Sequence, residues 1–429
     1  MPKVVIAGAG WSGCAAAMAV VQAGGEAVLV ERCDTLLGTG YVGGLMRNNG
    51  RYTAAEEMIA MGGGELFKLI DKTTRHTGVE FPGHHHGSLY DVALIEPRVR
   101  TLLQENGIEL WVRSRVTDVK REDGELAAIV LENGQVLEGD AFVDTTGTAG
   151  GQPNCRKYGN GCSMCMLRCP TFGNRVSISA KAGVMEKMCL RPDGGFGAFS
   201  GACKLHRGSV DAALLKELDR TGAAVVPLPK SLIEHEKKIL PLKCCQQYNL
   251  PEFEENLILL ETGHVKALVP YMPIEELRLI PGLQNARYED PYAGGVGNSI
   301  RFLALAPRDD TMQVEGPVNN LFCGGEKAGP IVGHTEAICT GTLGGHNAVR
   351  HALGKALLTL PRSTAVGEMF AWSGEKLKTE EGLRLKYTFA GSVYFARMQE
   401  LGTYTTDTPT VQKRIADAGM TDVFKQRVS

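Results

Sequence analysis

The sequence predicts an α/β fold built on a parallel sheet, split by an inserted α+β region and followed by a helical tail. Three observations predict it. "KVVIAGAGWSGCAAAMAVVQAGGEAVLVER" runs from an apolar strand through Gly8, Gly10 and Gly13 into an alanine-rich helix and a second strand ending at Glu31. "VNNLFCGGEKAGPIVGHTEAICTGTLGGHNAVRHALG" repeats that logic near the other end, with a strand to Cys323, a turn at Gly324 and Gly325, and a small-residue helix from about Thr335. Between them lie a helix, the strand "IELWVRSRV", a hairpin "ELAAIVLENGQVLEGD" with an Asn-Gly turn, and a strand ending in Asp144-Thr-Thr-Gly147.

The first element is a dinucleotide-binding unit. Gly8 permits the tight turn, Gly10 lets backbone approach a pyrophosphate at a helix N-terminus, Gly13 lets helix and strand pack closely, and Glu31 would accept ribose hydroxyls. The loop after Glu31, "LLGTGYVGGLMRNNGRY", carries Gly38, Gly40, Gly43, Gly44, Asn48 and Asn49, where bare backbone can lie against a flat ring. A nicotinamide domain would instead proceed to its next strand-helix repeat. The order therefore predicts a Rossmann-like FAD-binding domain of the two-dinucleotide-fold flavoprotein type. Gly147, Gly324, Gly325, Glu326 and Thr335 complete its cofactor-binding set, and the late helix turns its N-terminal dipole toward the flavin pyrimidine edge. The boundaries expected are 1–150 and 290–355 for the FAD domain, 151–289 for an inserted cluster and substrate domain, and 356–429 for a helical extension that braces the fold or a homodimer interface.

Within the insertion, "RVSISAKAG", "FGAFSGACKL", "AAVVPLPK" and "NLILLETGHVKALVPY" look strand-like around the helix "SVDAALLKELDRTG". In the tail, "EEGLRLKYTFAGSVYFARMQEL" and "TVQKRIADAGM" look helical. The run His84, His85, His86 changes direction too quickly for one helix face and is expected in a loop, as an anion, substrate or metal contact or as plain solvated surface.

A net charge of −2 with 22% charged and 43% hydrophobic residues excludes a disordered chain and provides no global field for nucleic acid or anionic lipid. No apolar run reaches the length of a membrane span and the start has no secretory pattern, so a cytoplasmic location with no membrane partner is expected. In that compartment the 12 cysteines are expected as metal-binding, redox or packing thiols.

Four of them, Cys155, Cys162, Cys165 and Cys169, form a C-x6-C-x2-C-x3-C-P pattern ending at Pro170. Closely spaced thiolates before a proline suit a [4Fe-4S] cluster, with zinc as the runner-up. The vicinal pair Cys244 and Cys245 could be a substrate thiol pair, an extra ligand or half-buried strand; Cys14, Cys189, Cys203, Cys323 and Cys339 are expected to pack in the core. Lys327 is the most plausible polar contact beside the last glycine turn, with His334 as a neighbour.

"LFCGGEKAGPIVGHTEAICTGTLGGHNAVRHALGK" and "VPYMPIEELRLIPGLQNARY" resemble the glucose-inhibited division protein A superfamily, which includes the folate- and FAD-dependent tRNA uracil-5 methyltransferase; the resemblance covers most of residues 1–355. It implies a flavoprotein acting on tRNA. The methyltransferase branch carries reactive cysteines where this chain has Tyr271 and Arg47, and neither replaces a low-pKa thiolate as a nucleophile. The reading that follows is an FAD-dependent oxidoreductase that couples flavin hydride chemistry to one-electron transfer through the cluster. Its donor would be NAD(P)H and its partner a small-molecule substrate or an electron-carrier protein. The catalytic candidates are Tyr271, Cys244, Cys245 and Lys327. A divergent tRNA-modifying enzyme, with tRNA as a disfavoured partner, and a non-catalytic flavin and cluster redox sensor are the alternatives.

Overall fold

A computed structural model of the chain describes residues 1–147, 176–199, 202–243, 246–269, 272–289 and 300–428. β1 (Lys3–Ala7), α1 (Trp11–Ala23) and β2 (Glu26–Val30) form the first unit. After a 3-10 turn at Gly38–Val42 come β3 (Leu45–Met46), α2 (Gly50–Ala60) and α3 (Glu65–Lys72). The hairpin β4 (Thr74–Phe81) and β5 (His84–Tyr90) follows, and then α4 (Ile95–Glu105) and β6 (Glu109–Trp111). A meander of β7 (Val116–Glu122), β8 (Glu125–Leu131) and β9 (Val136–Glu138) precedes β10 (Ala141–Asp144).

The central sheet takes β1, β2, β6 and β10 together with the late strand Leu321–Cys323, all parallel, with β1 in the middle. Val4, Val5, Ile6, Phe142 and Val143 are wholly buried in one core with residues of α1, the late helix and the β7–β9 meander (Leu126, Ile129 and Leu131), which is why these strands are continuous apolar runs. The helix His334–Ala352 lies across α1. Gly341 and Gly345 allow that approach, since a Cβ on either would overlap the carbonyls of Ser12 and Ala16. The fold is thus the α/β class with a Rossmann-like FAD-binding domain that the glycine spacing predicts.

The insertion forms a four-stranded antiparallel sheet of Cys203–Leu205, Val265–Ala267, Asn256–Glu261 and Ala223–Pro227, in that order. Its strand "NLILLE" is apolar from Leu257 to Leu260 because both faces are covered. Leu257 and Leu259 pack with Leu218 of the helix Ala212–Thr221, while Ile258 and Leu260 pack with Val79, Phe81 and Leu89 of the β4–β5 hairpin. The short strands Ile300–Arg301 and Ala304–Leu305 pair with Ala198–Phe199 and Lys187–Met188.

The tail docks on α2. Glu57 is fully buried and accepts the first backbone N–H groups of the helix Ala365–Leu377, from Ala365 and Val366 (both 2.9 Å), and a bond from Arg414 (3.1 Å). Among the described residues no helix is long and apolar enough to cross a membrane.

Three local expectations differ from what forms. "RVSISAKAG" is a helical turn, Ile178–Lys181, because Ser177 caps it by accepting from the Ala180 N–H. His84–His86 open strand β5 rather than a loop, with His84 buried and His85 exposed as a period of two requires. The stretch "EEGLRLKYTFAGSVYFARMQEL" forms two helices, Glu380–Arg384 and Ser392–Glu400; between them Tyr387 exchanges backbone bonds with Pro330 and Val332, which no helical residue could do.

Candidate functional site

The site begins at the carboxyl ends of β1 and β2. Gly8 has φ +99°, and its N–H binds the Val30 carbonyl (2.7 Å). A Cβ on Gly13 would overlap the Gly8 carbonyl, whereas a Cβ on Gly10 would meet nothing within 4 Å. That leaves open space above Gly10, at the start of α1, with room for an anion at the helix N-terminus. Glu31 is held in place by the backbone N–H groups of Ala9 (2.8 Å) and Cys33 (2.9 Å), leaving lone pairs for ribose hydroxyls.

Gly324 and Gly325 stand at the end of Leu321–Cys323, three strand positions from β2 and so about 14 Å away. That separation suits an extended dinucleotide. Ser12 Oγ, buried between Gly324 and Gly341, has no hydrogen-bond partner among the described residues. Glu326 lies in the 3-10 turn Gly325–Lys327, and Thr335 is buried in the first turn of His334–Ala352. Gly147 has φ +67° at the last described position after β10.

The early glycine loop meets this from the other side. Tyr90 donates its hydroxyl to the Gly40 carbonyl (2.6 Å), and burial pushes that phenol up to about 12. Side chains at Gly40, Gly43 or Gly44 would overlap Trp11, His334 and Thr262 respectively. The Gly38–Gly44 backbone is therefore gripped between α1, the start of the late helix and the inserted sheet, the last of which sends Lys266 onto the Gly43 carbonyl.

Behind the loop is a buried polar network that joins three parts of the chain. Asn48 Nδ2 donates to His84 Nδ1 (3.0 Å) and to Gln247 Oε1 (3.0 Å), which leaves His84 Nε2–H to donate to the Gln247 carbonyl (2.9 Å). That pattern sets the His84 tautomer, and burial pushes its pKa down to about 3, so the ring stays neutral. Arg51 donates to Glu336 (3.2 Å), Asn48 Oδ1 (3.3 Å), Gln247 Oε1 (3.2 Å) and Thr388 Oγ1 (3.2 Å). Glu336 also accepts from Thr388 Oγ1 (2.6 Å) and the Phe389 N–H (2.9 Å). Asn49, at φ +53°, bonds the carbonyls of Gly83 and Ala390 (both 2.9 Å) and the His85 N–H (2.9 Å). Arg51, His84, Gln247 and Glu336 are not readable as a group in the sequence, because their pairing spans up to 285 positions.

Arg47 occupies the expected thiol position in structural employment. Its guanidinium pairs with Glu56 (2.5 Å) and Asp71 (2.6 Å) and lies 5.4 Å from the Tyr52 ring centre. Lys327 is 1% exposed, paired with Glu186 and donating to the Ala304 carbonyl (3.1 Å). It thereby faces Asp144, whose carboxyl burial would raise but which the Lys327 charge and the Ser179 and Thr146 donors hold below the usual range. Cys14, Cys189, Cys203, Cys323 and Cys339 are buried, and burial pushes Cys203 and Cys323 up to about 12, far from a reactive thiolate. Cys155, Cys162, Cys165, Cys169, Cys244, Cys245 and Tyr271 lie outside the described residues. Among those that are described, no group of three His, Cys, Asp or Glu could hold a metal ion.

Residues 3–258 and 247–356 match the protein family described as glucose inhibited division protein A. The tRNA uridine 5-carboxymethylaminomethyl modification enzyme MnmG of Chlorobaculum tepidum is 26% identical over 85% of this chain, and that of Chlorobium phaeobacteroides is 24% identical over 85%. This chain spans 65% of the length of either relative. The methylenetetrahydrofolate–tRNA-(uracil-5-)-methyltransferase TrmFO of Synechocystis is 36% identical over 30% of this chain and 25% of its own length. The structure of Aquifex aeolicus GidA superposes with a TM-score of 0.62 over 97% of this chain and 76% of that one, at 17% identity, which supports the fold. These findings overturn the expectation of an oxidoreductase passing electrons through an iron-sulfur cluster: relatives aligned along most of the chain are tRNA modification enzymes, and neither they nor the described residues support the cluster. With most of its length matched through both halves of the dinucleotide fold, the chain belongs to the glucose inhibited division protein A family.

Proposed function

We propose that this chain is an FAD-dependent enzyme that modifies position 5 of a uridine in tRNA. One observation carries the reading: the relatives aligned over 85% of the chain are named for modification at uridine position 5, and the shorter methyltransferase match is named for the same ring position. The site is consistent with it. Gly10 and the start of α1 would hold the pyrophosphate and Glu31 the adenosine ribose. FAD there would supply two-electron redox chemistry.

The chain's own residues position rather than react. The buried Asn48, Arg51, His84, Gln247 and Glu336 network ties the segment after the glycine loop to the insertion and the tail. His84 is held neutral with its proton on Nε2, bonded to a carbonyl, so it is a fixed strut and not a general acid near neutral pH. Arg47 is consumed by Glu56 and Asp71, so no nucleophile comes from that position. The test is binding of bulk tRNA to the purified flavin-loaded chain over a salt series. A dissociation constant that weakens steeply with salt supports the reading; no tRNA binding at 50 mM salt would overturn it.

A further inference from the structure

Among the Phe, Tyr and Trp side chains described, Phe196 alone is exposed, at 57%. It closes a turn by a β-bridge to Leu190. Arg191, inside the turn, donates to the Phe196 carbonyl (3.3 Å) as well as to Asp193, and a Cβ on Gly195 would overlap its guanidinium. A Cβ on Gly194 would lie 3.7 Å from the guanidinium of Arg384, which donates to Glu380 (2.6 Å) and has no other side-chain partner among the described residues. Two glycines thus let two arginines lie along the turn that carries the ring. The surrounding charge is unbalanced. Segments 187–196 and 376–386 are joined by the Leu190 N–H on the Leu383 carbonyl (3.0 Å) and by Lys386 on the Leu190 carbonyl (2.7 Å). Together they carry six Lys and Arg against three Asp and Glu, in a chain whose net charge is −2. Glu186 and Glu375, just outside, are paired with Lys327 and Arg362. Lys187 and Lys386 end on backbone carbonyls, as suits helix C-termini, and Lys376 lies 5.5 Å from the Trp372 ring centre. Lys378 is exposed with no side-chain partner among the described residues, and nothing in the fold accounts for it. The patch adjoins the candidate site. Val332 packs with Leu377 and Leu383 and donates its N–H to the Tyr387 carbonyl (2.9 Å), two residues before the late helix begins at His334.

We infer that this turn docks an unpaired loop of RNA, with Phe196 stacking on a splayed base while the cations around it take up backbone phosphates. This rests on the tRNA reading above and says which surface the RNA uses. Every base has a flat face that can cover an exposed ring, and a polyanion is drawn to a local surplus of positive charge even on a chain of negative total. A two-fold contact with a second copy would set the same surplus against itself.

The experiment uses the full-length flavin-loaded chain with Phe196→Ala, Phe196→Trp and Lys378→Gln, and bulk tRNA and a fully paired RNA duplex as probes. It reads dissociation constants over a salt series, FAD content, Tm and sedimentation. We expect F196A to keep its FAD and Tm, to bind tRNA about tenfold more weakly with an unchanged salt slope, and to bind the duplex as wild type does. F196W should stay within about threefold of wild type, and K378Q should lower the salt slope by about one. F196A with tRNA affinity within about twofold of wild type overturns the proposal. So does equal weakening toward tRNA and duplex, or a fall in oligomeric size that assigns the ring to a contact between copies. If F196A fails to fold, K378Q decides, a lower slope supporting the proposal and an unchanged one overturning it. A wild-type chain that binds no tRNA would instead defeat the parent reading.

Discussion

Replacing Arg51 by methionine removes the cation from a pair whose side chains are 3% and 0% exposed. Glu336 would keep Thr388 Oγ1 and the Phe389 N–H, so two of its donors survive, but its charge would be uncompensated in the interior. Breaking a buried pair from one side is worth about 3–5 kcal/mol, and the surviving donors place the loss at the lower end, about 3 kcal/mol. At about 2.1 cal/mol/K of unfolding entropy per residue, a chain of 429 residues has about 0.9 kcal/mol/K, so Tm should fall by about 3 °C. Chemical denaturation at neutral pH measures the loss directly. The cycle is completed by R51M/E336Q, in which the neutral amide still accepts from Thr388 and Phe389; it should recover at least about 1 kcal/mol relative to R51M. Asn48 and Gln247 stay without their guanidinium partner, so recovery is partial. An R51M chain within about 0.5 kcal/mol of wild type, or a double variant no better than the single, would refute the reasoning.

Gly10→Leu should abolish retention of FAD while circular dichroism and Tm of the cofactor-free protein stay within error, because the added side chain enters open space rather than the core. Glu57→Ala leaves the Ala365 and Val366 N–H groups without their acceptor and leaves Arg414 only its bonds to the Thr403 and Gly402 carbonyls; a loss of about 2–3 kcal/mol and faster proteolysis of the region after residue 360 are expected. His346 is buried with both ring nitrogens unpartnered among the described residues, and burial pushes its pKa down to about 4 from 6.5. The unfolded chain binds the proton first, so stability should decline by about 3 kcal/mol as pH falls from 6.5 toward 4. His346→Leu should flatten that decline, and a wild-type curve level over the interval would count against it. Asp144 is held below the usual carboxylate range, so its contribution is present above pH 4 and is lost as pH falls further; Asp144→Asn should remove that acid limb.

What could be read in advance was whatever the chain encodes locally. Gly8, Gly10, Gly13 and Glu31 sit within one strand-turn-helix-strand unit, and their spacing alone implies the turn, the helix start and the acid at the strand end. Cys323, Gly324 and the late helix were legible for the same reason. The Arg51–Glu336 pair was not, because each residue in isolation reads as an ordinary helix charge. Lys327 stands beside the cofactor turn in sequence, yet its side chain turns to Glu186, an acid 141 positions away. "RVSISAKAG" alternates as a strand would, but the Ser177 cap outweighs the alternation. The cysteine run shaped the functional expectation because four thiols in a short span are conspicuous, whereas the family match is spread over residues 3–356.

The most direct test of the account is mass spectrometry of tRNA nucleosides from cells of the source organism lacking this chain, complemented with wild type or with the Gly10→Leu variant. The account predicts that one nucleoside modified at uridine position 5 disappears on deletion, returns with wild type and stays absent with the variant that cannot hold FAD. Identical nucleoside profiles in all these cells would contradict it.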